Sequence, residues 1–350
     1  MKKLSAVVLT LCLIVPLLIP FASALSLNDG TDALNAQFLD GSFEDGLDYV
    51  YYSPVSGSDD GVSYPLLVWL HGMGSGEEPR SQLNWYEFSN WASDEYQSRF
   101  DVKGCYLLAV RESASSIHSW TGSSCPLLKT TIDDFIKKQN GRIDKDRIYI
   151  AGYSTGGTMV WDMVSQYSSF FAAAVPIAAV FQPTSEEISK LKDTSVWIFS
   201  SDNDPYPTAD SADARLTFEG LSTVTKRKSG VRFTCVSDAR FADGSKRYDL
   251  STGEVTSDSE HFIWEAFTYD MHMVDRVTPY IYTSTVDAAG NSVDFSSPNE
   301  GVISWLSAQK KTPAEGSGSS SSSSGSSSII EQLLLMLQKI ITYIVRLFKK

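Results

Sequence analysis

Strand-like and helix-like segments alternate along most of this 350-residue chain, and the alternation limits the folds open to it. Strand-like segments, rich in β-branched and aromatic residues, lie at 47–53, 66–70, 106–110, 147–152 and 195–200. Helix-like segments, with apolar residues at helical spacing, lie at 125–139, 156–167 and 185–192. Short apolar strands that alternate with amphipathic helices predict an α/β fold with a doubly wound, mostly parallel sheet.

The amino-terminal segment is predicted to be an export signal. Residues 1–24 combine Lys2 and Lys3, an apolar stretch and a final ASA, which is typical of a signal peptide cleaved after Ala24. A retained membrane anchor is the less favoured alternative. Cleavage makes the protein secreted, and residues 25–314 are long enough for one large α/β domain.

The carboxyl-terminal segment differs in composition from the rest. Residues 315–328 are almost all glycine and serine and predict a flexible linker, because they cannot bury enough apolar surface to fold. Residues 329–350 predict an amphipathic helix with a narrow polar stripe. The charge of Lys339 near its centre makes a membrane-spanning helix energetically unfavourable. Association with a membrane surface or self-association fits better, and a helix folded back on the main domain is the remaining alternative.

Charge and cysteine content exclude some functions. The formal net charge is −13, which argues against a nucleic-acid partner, since phosphates require a basic face. Three cysteines follow the predicted cleavage point, Cys105, Cys125 and Cys235, and a disulfide between the first two is the preferred pairing in an oxidising compartment. No metal is predicted, because the cysteines and histidines lack zinc-ligand spacing.

Residues 148–157 (IYIAGYSTGG) carry the clearest chemical signal. Gly152, Ser154 and Gly156 fit the pattern GxSxG, in which a serine occupies a sharp turn between a strand and a helix. The predicted strand before and helix after this serine make the match more specific. Ser154 is therefore a candidate nucleophile, and a purely structural turn is the alternative.

A serine nucleophile needs a histidine base and an acid that orients it. In folds with this turn both follow the serine along the chain, which leaves His261 and His272 as candidate bases. Asp202 and Asp204 follow the strand at 195–200, and spacing alone leaves both open as the acid. Both also suit an ordinary turn before a proline.

Backbone amides must also stabilise the oxyanion of the tetrahedral intermediate. One donor is expected from Thr155, the residue after the nucleophile. The other is expected from the loop after the strand at 66–70, which contains His71, Gly72, Met73 and Gly74.

Four segments together resemble one family. PLLVWLHGMGSG, IDKDRIYIAGYSTGGTMVWDM, FFAAAVPIAA with VWIFSSDNDPYP, and HFIWEAF are similar to secreted α/β-hydrolase esterases related to polyhydroxybutyrate depolymerases and to the feruloyl and acetylxylan esterases of carbohydrate esterase family 1. The resemblance covers residues 47–309. It implies an α/β-hydrolase fold, with residues 25–314 as the catalytic domain.

The resemblance also assigns site residues. It implies a catalytic triad of Ser154, Asp204 and His261, and it selects Met73 as the second oxyanion donor beside Thr155. Trp264 matches the family's HxxW element, and Trp120 lies where relatives often have a tryptophan, so both are candidate substrate-binding residues. Two serines, Ser200 and Ser201, replace the family's usual HG before the acid.

These observations predict a secreted serine hydrolase that cleaves carboxylic esters through an acyl-enzyme, without a cofactor. The resemblance suggests esters on plant polysaccharides or polyesters as substrates. A serine peptidase of the prolyl-oligopeptidase type is one alternative, because it uses the same triad on the same fold. A non-catalytic surface binding protein on a hydrolase fold is the other.

Overall fold

The computed structural model describes residues 30–44, 46–54, 61–74, 78–112, 119–202, 204–206, 211–239, 261–270, 280–293 and 300–311. The signal peptide, the linker and the tail helix lie outside these ranges, so their predictions stay predictions. Within the described ranges, no helix has the length and apolar character needed to cross a bilayer.

A single sheet runs through the described part of the chain. Its nine strands are β1 (Leu39–Gly41), β2 (Tyr49–Tyr52), β3 (Tyr64–Leu70), β4 (Tyr106–Val110), β5 (Ile143–Tyr153), β6 (Ala173–Ile177), β7 (Ser195–Ser201), β8 (Val231–Ala239) and β9 (Tyr280–Asp287). Their order is β1-β2-β4-β3-β5-β6-β7-β8-β9. The six strands from β4 to β8 in this order are parallel, whereas β1, β2 and β9 pair antiparallel at the two edges. The predicted doubly wound, mostly parallel sheet is confirmed.

Helices cover both faces of the sheet. They are α1 (Thr31–Asn35), α2 (Ser81–Trp85), α3 (Asp94–Gln97), α4 (Cys125–Lys138), α5 (Thr155–Gln166), α6 (Ser185–Ser189), α7 (Ser211–Val224), α8 (Glu265–Thr268) and α9 (Val302–Ser307). The longer predicted helices form where their sequence patterns place them. In α4, a proline lies in the first turn, and Lys137 and Lys138 lie in the last turn, where positive charge offsets the helix dipole.

Alternate residues of the central strands build two separate cores. Val68 and Leu70 of β3 pack with side chains of α4, α5 and α7 on one face. Trp69 points to the opposite face, among side chains of the short 3₁₀ helix Phe88–Ala92, α8 and α9. Its indole stacks on the rings of Phe88 and Phe267, both at 5.3 Å between ring centroids. The second core is therefore largely aromatic.

The predicted disulfide is wrong, because Cys105, Cys125 and Cys235 are all buried and none of the three forms a disulfide. Cys125 lies in the core on the side of α4, where its Sγ is 3.4 Å from Met159 Sδ. Cys105 belongs to the opposite core, just before β4. The sheet itself separates the two sulfur atoms, and closeness along the chain gave no sign of this.

Two late elements were not predicted from the sequence. They are the strand β8 and the edge strand β9, which pair antiparallel. Strand propensity depends on packing against partner strands as well as on the residues themselves, and local sequence does not reveal those partners.

Candidate active site

Three of the predicted site residues lie after parallel strands, on the side of the sheet where the carboxyl ends of those strands meet. Ser154 follows β5, Asp204 follows β7, and His261 comes after β8 along the chain. Loops at the carboxyl ends of parallel strands are where doubly wound folds gather their functional groups. The topology thus brings residues far apart in sequence to one place.

Ser154 occupies a strained turn between β5 and α5. Its backbone has φ 57° and ψ −118°, a conformation that residues with a side chain rarely adopt. Its amide donates to the carbonyl oxygen of Ile177 at 2.9 Å, which fixes the turn to the end of β6. Strain of this kind at a serine is a feature of functional sites.

The two glycines of the GxSxG pattern allow close backbone approach. A Cβ at Gly152 would lie 2.6 Å from the carbonyl oxygen of Gly156. A Cβ at Gly156 would lie 2.3 Å from the carbonyl oxygen of Leu70, at the end of β3. The missing side chains therefore let α5 begin directly against the loop that follows β3.

A chain of hydrogen bonds joins the serine, the histidine and one aspartate. His261 Nε2 is 2.9 Å from Ser154 Oγ, and His261 Nδ1 is 2.6 Å from Asp204 Oδ2. An ionised carboxylate only accepts, so Nδ1 donates to Asp204 and Nε2 is left to accept from the serine hydroxyl. All three residues are buried, with at most 8% of their surface exposed. This arrangement can transfer the serine proton to the imidazole.

The two candidate acids have different partners. Asp202 accepts a hydrogen bond from the hydroxyl of Ser211 at the start of α7, and its amide donates to Val236 at 3.0 Å. It also lies beside the thiol of Cys235, whose pKa is raised to about 12 by burial and by this carboxylate. Asp202 therefore ties β8 to α7, while Asp204 contacts the imidazole. The other candidate base, His272, lies outside the described residues.

Two tyrosines that sequence reasoning missed pack against the imidazole of His261. The ring of Tyr153, just before the nucleophile, lies 5.1 Å from it, and the ring of Tyr206 lies 4.5 Å from it. The amide of Tyr206 also donates to Asp204 Oδ1 at 2.9 Å, opposite the oxygen that accepts from His261. The aromatic residue two positions after the acid, in the sequence DPY, was the available signal.

The predicted oxyanion loop is held by His71, a buried residue. Its Nδ1 donates to the carbonyl oxygen of Gly72 at 2.6 Å, and its Nε2 accepts from the amide of Glu112 at 2.9 Å. Its ring also packs on Trp120 at 5.3 Å. These contacts fix the start of the loop to the end of β4. The side chain of Met73, next in the loop, is 56% exposed.

The second predicted amide donor, Thr155, is the first residue of α5. Its helix begins against the carbonyl oxygens of Leu70 and His71, as the space around Gly156 shows. The start of α5 and the loop that carries Met73 are thus neighbours. The oxyanion role of the two amides stays a prediction.

The predicted substrate-binding tryptophans are both buried, each with 4% of its surface exposed. Trp120 covers the ring of His71. Trp264 lies between Tyr86 and Tyr153, with ring centroids 5.2 and 4.8 Å away. Their contacts are with the protein, so each has little surface to offer a substrate. Substrate binding by either stays a prediction.

A buried carboxylate anchors the segment that carries His261. Asp270, just after α8, forms an ion pair with Arg99 and accepts from the amide of Ile303 in α9 at 2.6 Å. Burial raises the pKa of Asp270 to about 6, and the Ile303 amide and the Arg99 guanidinium partly oppose that rise. The segment is therefore fixed at its end by charge as well as packing.

Comparison with solved structures identifies the fold. The alignment with a thermostable esterase covers 68% of this chain and 61% of the esterase chain, at 24% sequence identity and a TM-score of 0.52. This chain has the α/β-hydrolase fold. It spans less than two thirds of that esterase. An acetyl xylan esterase from Aspergillus awamori is 16% identical, with a TM-score of 0.39, and covers 53% of this chain and 79% of its own.

One further solved structure and one family model match parts of this chain. An acylaminoacyl peptidase in complex with Z-Gly-Gly-Phe-chloromethyl ketone is 16% identical, has a TM-score of 0.43, and covers 70% of this chain and 42% of its own. The sequence model of the prolyl oligopeptidase family matches residues 129–228, which include Ser154 and Asp204. No curated protein matches the sequence.

Proposed function

We propose that this chain is a serine hydrolase that cleaves carboxylic esters, with Ser154 as nucleophile, His261 as base and Asp204 as the acid that orients the base. The observation that carries the proposal is the hydrogen-bond chain from Ser154 Oγ through His261 to Asp204, built on a strained turn. A structural serine has no need of that strain or of an imidazole aligned with its hydroxyl.

The proposed reaction has two stages. His261 Nε2 takes the proton of Ser154 while Oγ attacks the ester carbonyl, and the amides of Met73 and Thr155 stabilise the oxyanion. The imidazolium then gives its proton to the leaving alcohol. The alcohol departs, and the acyl group remains bound to Ser154 as an acyl-enzyme. A water molecule activated by the same histidine releases the acid and restores the serine. Asp204 keeps the imidazole in the required tautomer throughout.

A peptidase of the prolyl-oligopeptidase type is the second candidate. The family match over residues 129–228 favours it, since that stretch includes the nucleophile and the acid. The same two stages would cleave a peptide bond, with an amine in place of the alcohol. Measuring which substrates the chain hydrolyses, esters or peptides, distinguishes the two candidates.

The test compares the full chain with Ser154→Ala on two substrate sets. We expect wild type to hydrolyse p-nitrophenyl acetate and butyrate, and Ser154→Ala to lose this activity by at least about a thousandfold, because the nucleophile is gone. Proline-containing peptide p-nitroanilides measure the peptidase reaction in parallel. Turnover of these peptides without ester turnover would favour the second candidate.

Ser165→Ala is the matched control. Ser165 is a buried serine of α5 whose hydroxyl has no hydrogen-bond partner among the described residues, and it lies about 16 Å along the helix from Ser154. This control should keep full activity and the same melting temperature. If Ser154→Ala also keeps its ester activity, the proposed mechanism is wrong. A wild type inactive on both sets would favour the non-catalytic binding protein.

A further inference from the structure

Tyr206 combines contact with the base and exposure to solvent. Its ring lies 4.5 Å from the imidazole of His261 and keeps 37% of its surface exposed. Tyr153 contacts the same imidazole but is only 4% exposed, so it belongs to the core. Of these two tyrosines, Tyr206 is therefore the one that can also meet a bound molecule.

The position of the Tyr206 ring is set by the acid. Its amide donates to Asp204 Oδ1 at 2.9 Å, while Oδ2 of the same carboxylate accepts from His261. One side chain thus holds both the imidazole and the backbone that carries the tyrosine ring. The ring and the base keep a fixed relation to each other.

The chemistry of the reaction says which part of a substrate lies there. In the proposed function, on which this inference rests, His261 Nε2 must come within hydrogen-bond reach of the leaving oxygen to protonate it. The carbonyl oxygen points instead to the amides of Met73 and Thr155. A ring beside the imidazole therefore lies beside the alcohol part of the ester and away from the acyl chain.

We propose that Tyr206 is a specificity-determining residue that forms one wall of the leaving-group site and favours alcohols with a flat apolar face. Aryl rings have such a face, and so does the C–H side of a sugar ring. Ring-on-ring contacts contribute beyond simple burial, so removing the wall should weaken binding of such a group about tenfold.

The test uses acetate esters, which keep the acyl group constant. The substrates are benzyl acetate, an acetylated methyl glucoside and hexyl acetate, which has a flexible alcohol of similar size. We expect Tyr206→Ala to raise KM for one or both ring-bearing esters about tenfold more than KM for hexyl acetate, while any change in kcat caused by the lost contact with His261 is the same for all three esters. Tyr206→Phe should behave as wild type. The two ring-bearing substrates tell an aryl preference from a sugar preference.

Two results would overturn the inference. One is an equal loss on all three acetates, which a merely structural role predicts. The other is a loss that follows the acyl chain in a series of ethyl esters. Tyr167→Ala, which removes a partly buried ring at the far end of α5, is the control for general destabilisation.

A binding measurement separates this inference from the proposed function. Benzyl alcohol and methyl glucoside are each titrated into wild type and Tyr206→Ala and followed by ligand-observed NMR, which needs no turnover. Tighter binding of either ligand to wild type supports the aromatic wall even if no ester is cleaved, whereas equal binding of both ligands to the two proteins rejects it.

Discussion

Asp202 and Asp204 lie two positions apart after β7, and their different contacts give them different roles. The carboxylate of Asp202 accepts from the hydroxyl of Ser211 and lies beside Cys235, so it joins α7 to the sheet. The carboxylate of Asp204 accepts from His261 and from the amide of Tyr206. The contacts of Asp202 stabilise the fold, and the contacts of Asp204 orient the candidate base His261.

Replacing each acid by its amide separates these roles. Asp204→Asn should lower kcat by about 10³- to 10⁴-fold, because an asparagine can hold the imidazole in the wrong tautomer. Asp202→Asn should keep kcat within a few-fold and lose stability only. Steady-state kinetics with p-nitrophenyl acetate, beside urea unfolding of both variants, measure the difference. A larger loss of kcat in Asp202→Asn than in Asp204→Asn would mean that Asp202 is the acid of the triad and Asp204 the structural residue.

Spacing along the chain left these two acids equally possible, and it left two histidines as well. Residues two apart in a turn can point in different directions, and local sequence does not say which one meets a base. The family resemblance selected Asp204 and His261, and these are the residues that the structure brings to Ser154. Tyr206 was missed because a lone aromatic in a turn has no periodicity to mark it.

At the scale of elements, the junction of β5 and α5 depends on two tight backbone contacts. Gly156 lies in the first turn of α5, where the carbonyl oxygens of Leu70 and His71 leave no room for a side chain. That contact sets the helix against the loop after β3. The nucleophile and the predicted oxyanion amides therefore share one packing interaction.

A methyl group at this junction should be costly. In Gly156→Ala the new Cβ would lie 2.3 Å from the Leu70 carbonyl oxygen, so the helix or the loop must move. We expect a loss of about 1–3 kcal/mol in the free energy of unfolding. We also expect kcat to fall at least tenfold, since the oxyanion donors shift. Urea unfolding and ester kinetics measure the two effects.

Gly220→Ala in α7 is the matched control. Its new Cβ would contact the side chain of Ile188, with Cδ1 at 3.2 Å and Cγ2 at 3.7 Å, and alanine is the better helix former. This variant should be as stable as wild type or more so, with full activity. Equal behaviour of the two alanine variants would mean that the close contact at Gly156 does not matter.

The elements that sequence predicted best are those whose pattern is local. The apolar runs of β3, β4 and β7 and the helical spacing of α4 predicted their positions to within a few residues. The strand β9 gains its place by pairing with β8, and β1 by pairing with β2. Such contacts depend on distant residues, so a local pattern cannot report them.

At the scale of the whole molecule, Asp270 joins three distant parts of the chain. It follows the helix next to His261, pairs with Arg99, and accepts from the first turn of α9. Its side chain is fully buried. A carboxyl group in this position makes stability depend on pH.

Stability should fall as the Asp270 carboxyl ionises. Burial raises its pKa from the usual 3.8 to about 6, so the folded protein binds this proton more tightly than the unfolded chain does. Its contribution is full below pH 3.8 and is lost as pH rises through 6, a change of about 3 kcal/mol. Asp270→Asn cannot ionise. Between pH 4 and pH 7 its free energy of unfolding should therefore rise relative to wild type.

Urea unfolding across this pH range measures the difference, with Asp133→Asn as control. Asp133 is a half-exposed carboxylate in a surface pair with Lys129, so its replacement should shift stability little at any pH in this range. A difference between Asp270→Asn and wild type that stays flat, or falls with pH, would mean that the ion pair with Arg99 outweighs burial.

The separation of Cys105 and Cys125 by the sheet gives the molecule two internal reporters. Burial raises the pKa of the Cys105 thiol, and neither sulfur can meet an alkylating reagent until the layer above it opens. Cys125 is enclosed by the layer that contains α4 and α5, and Cys105 by the aromatic layer on the other side. Mass spectrometry of the labelled peptides can therefore time the exposure of each layer separately, from a single unfolding experiment on the unmodified chain.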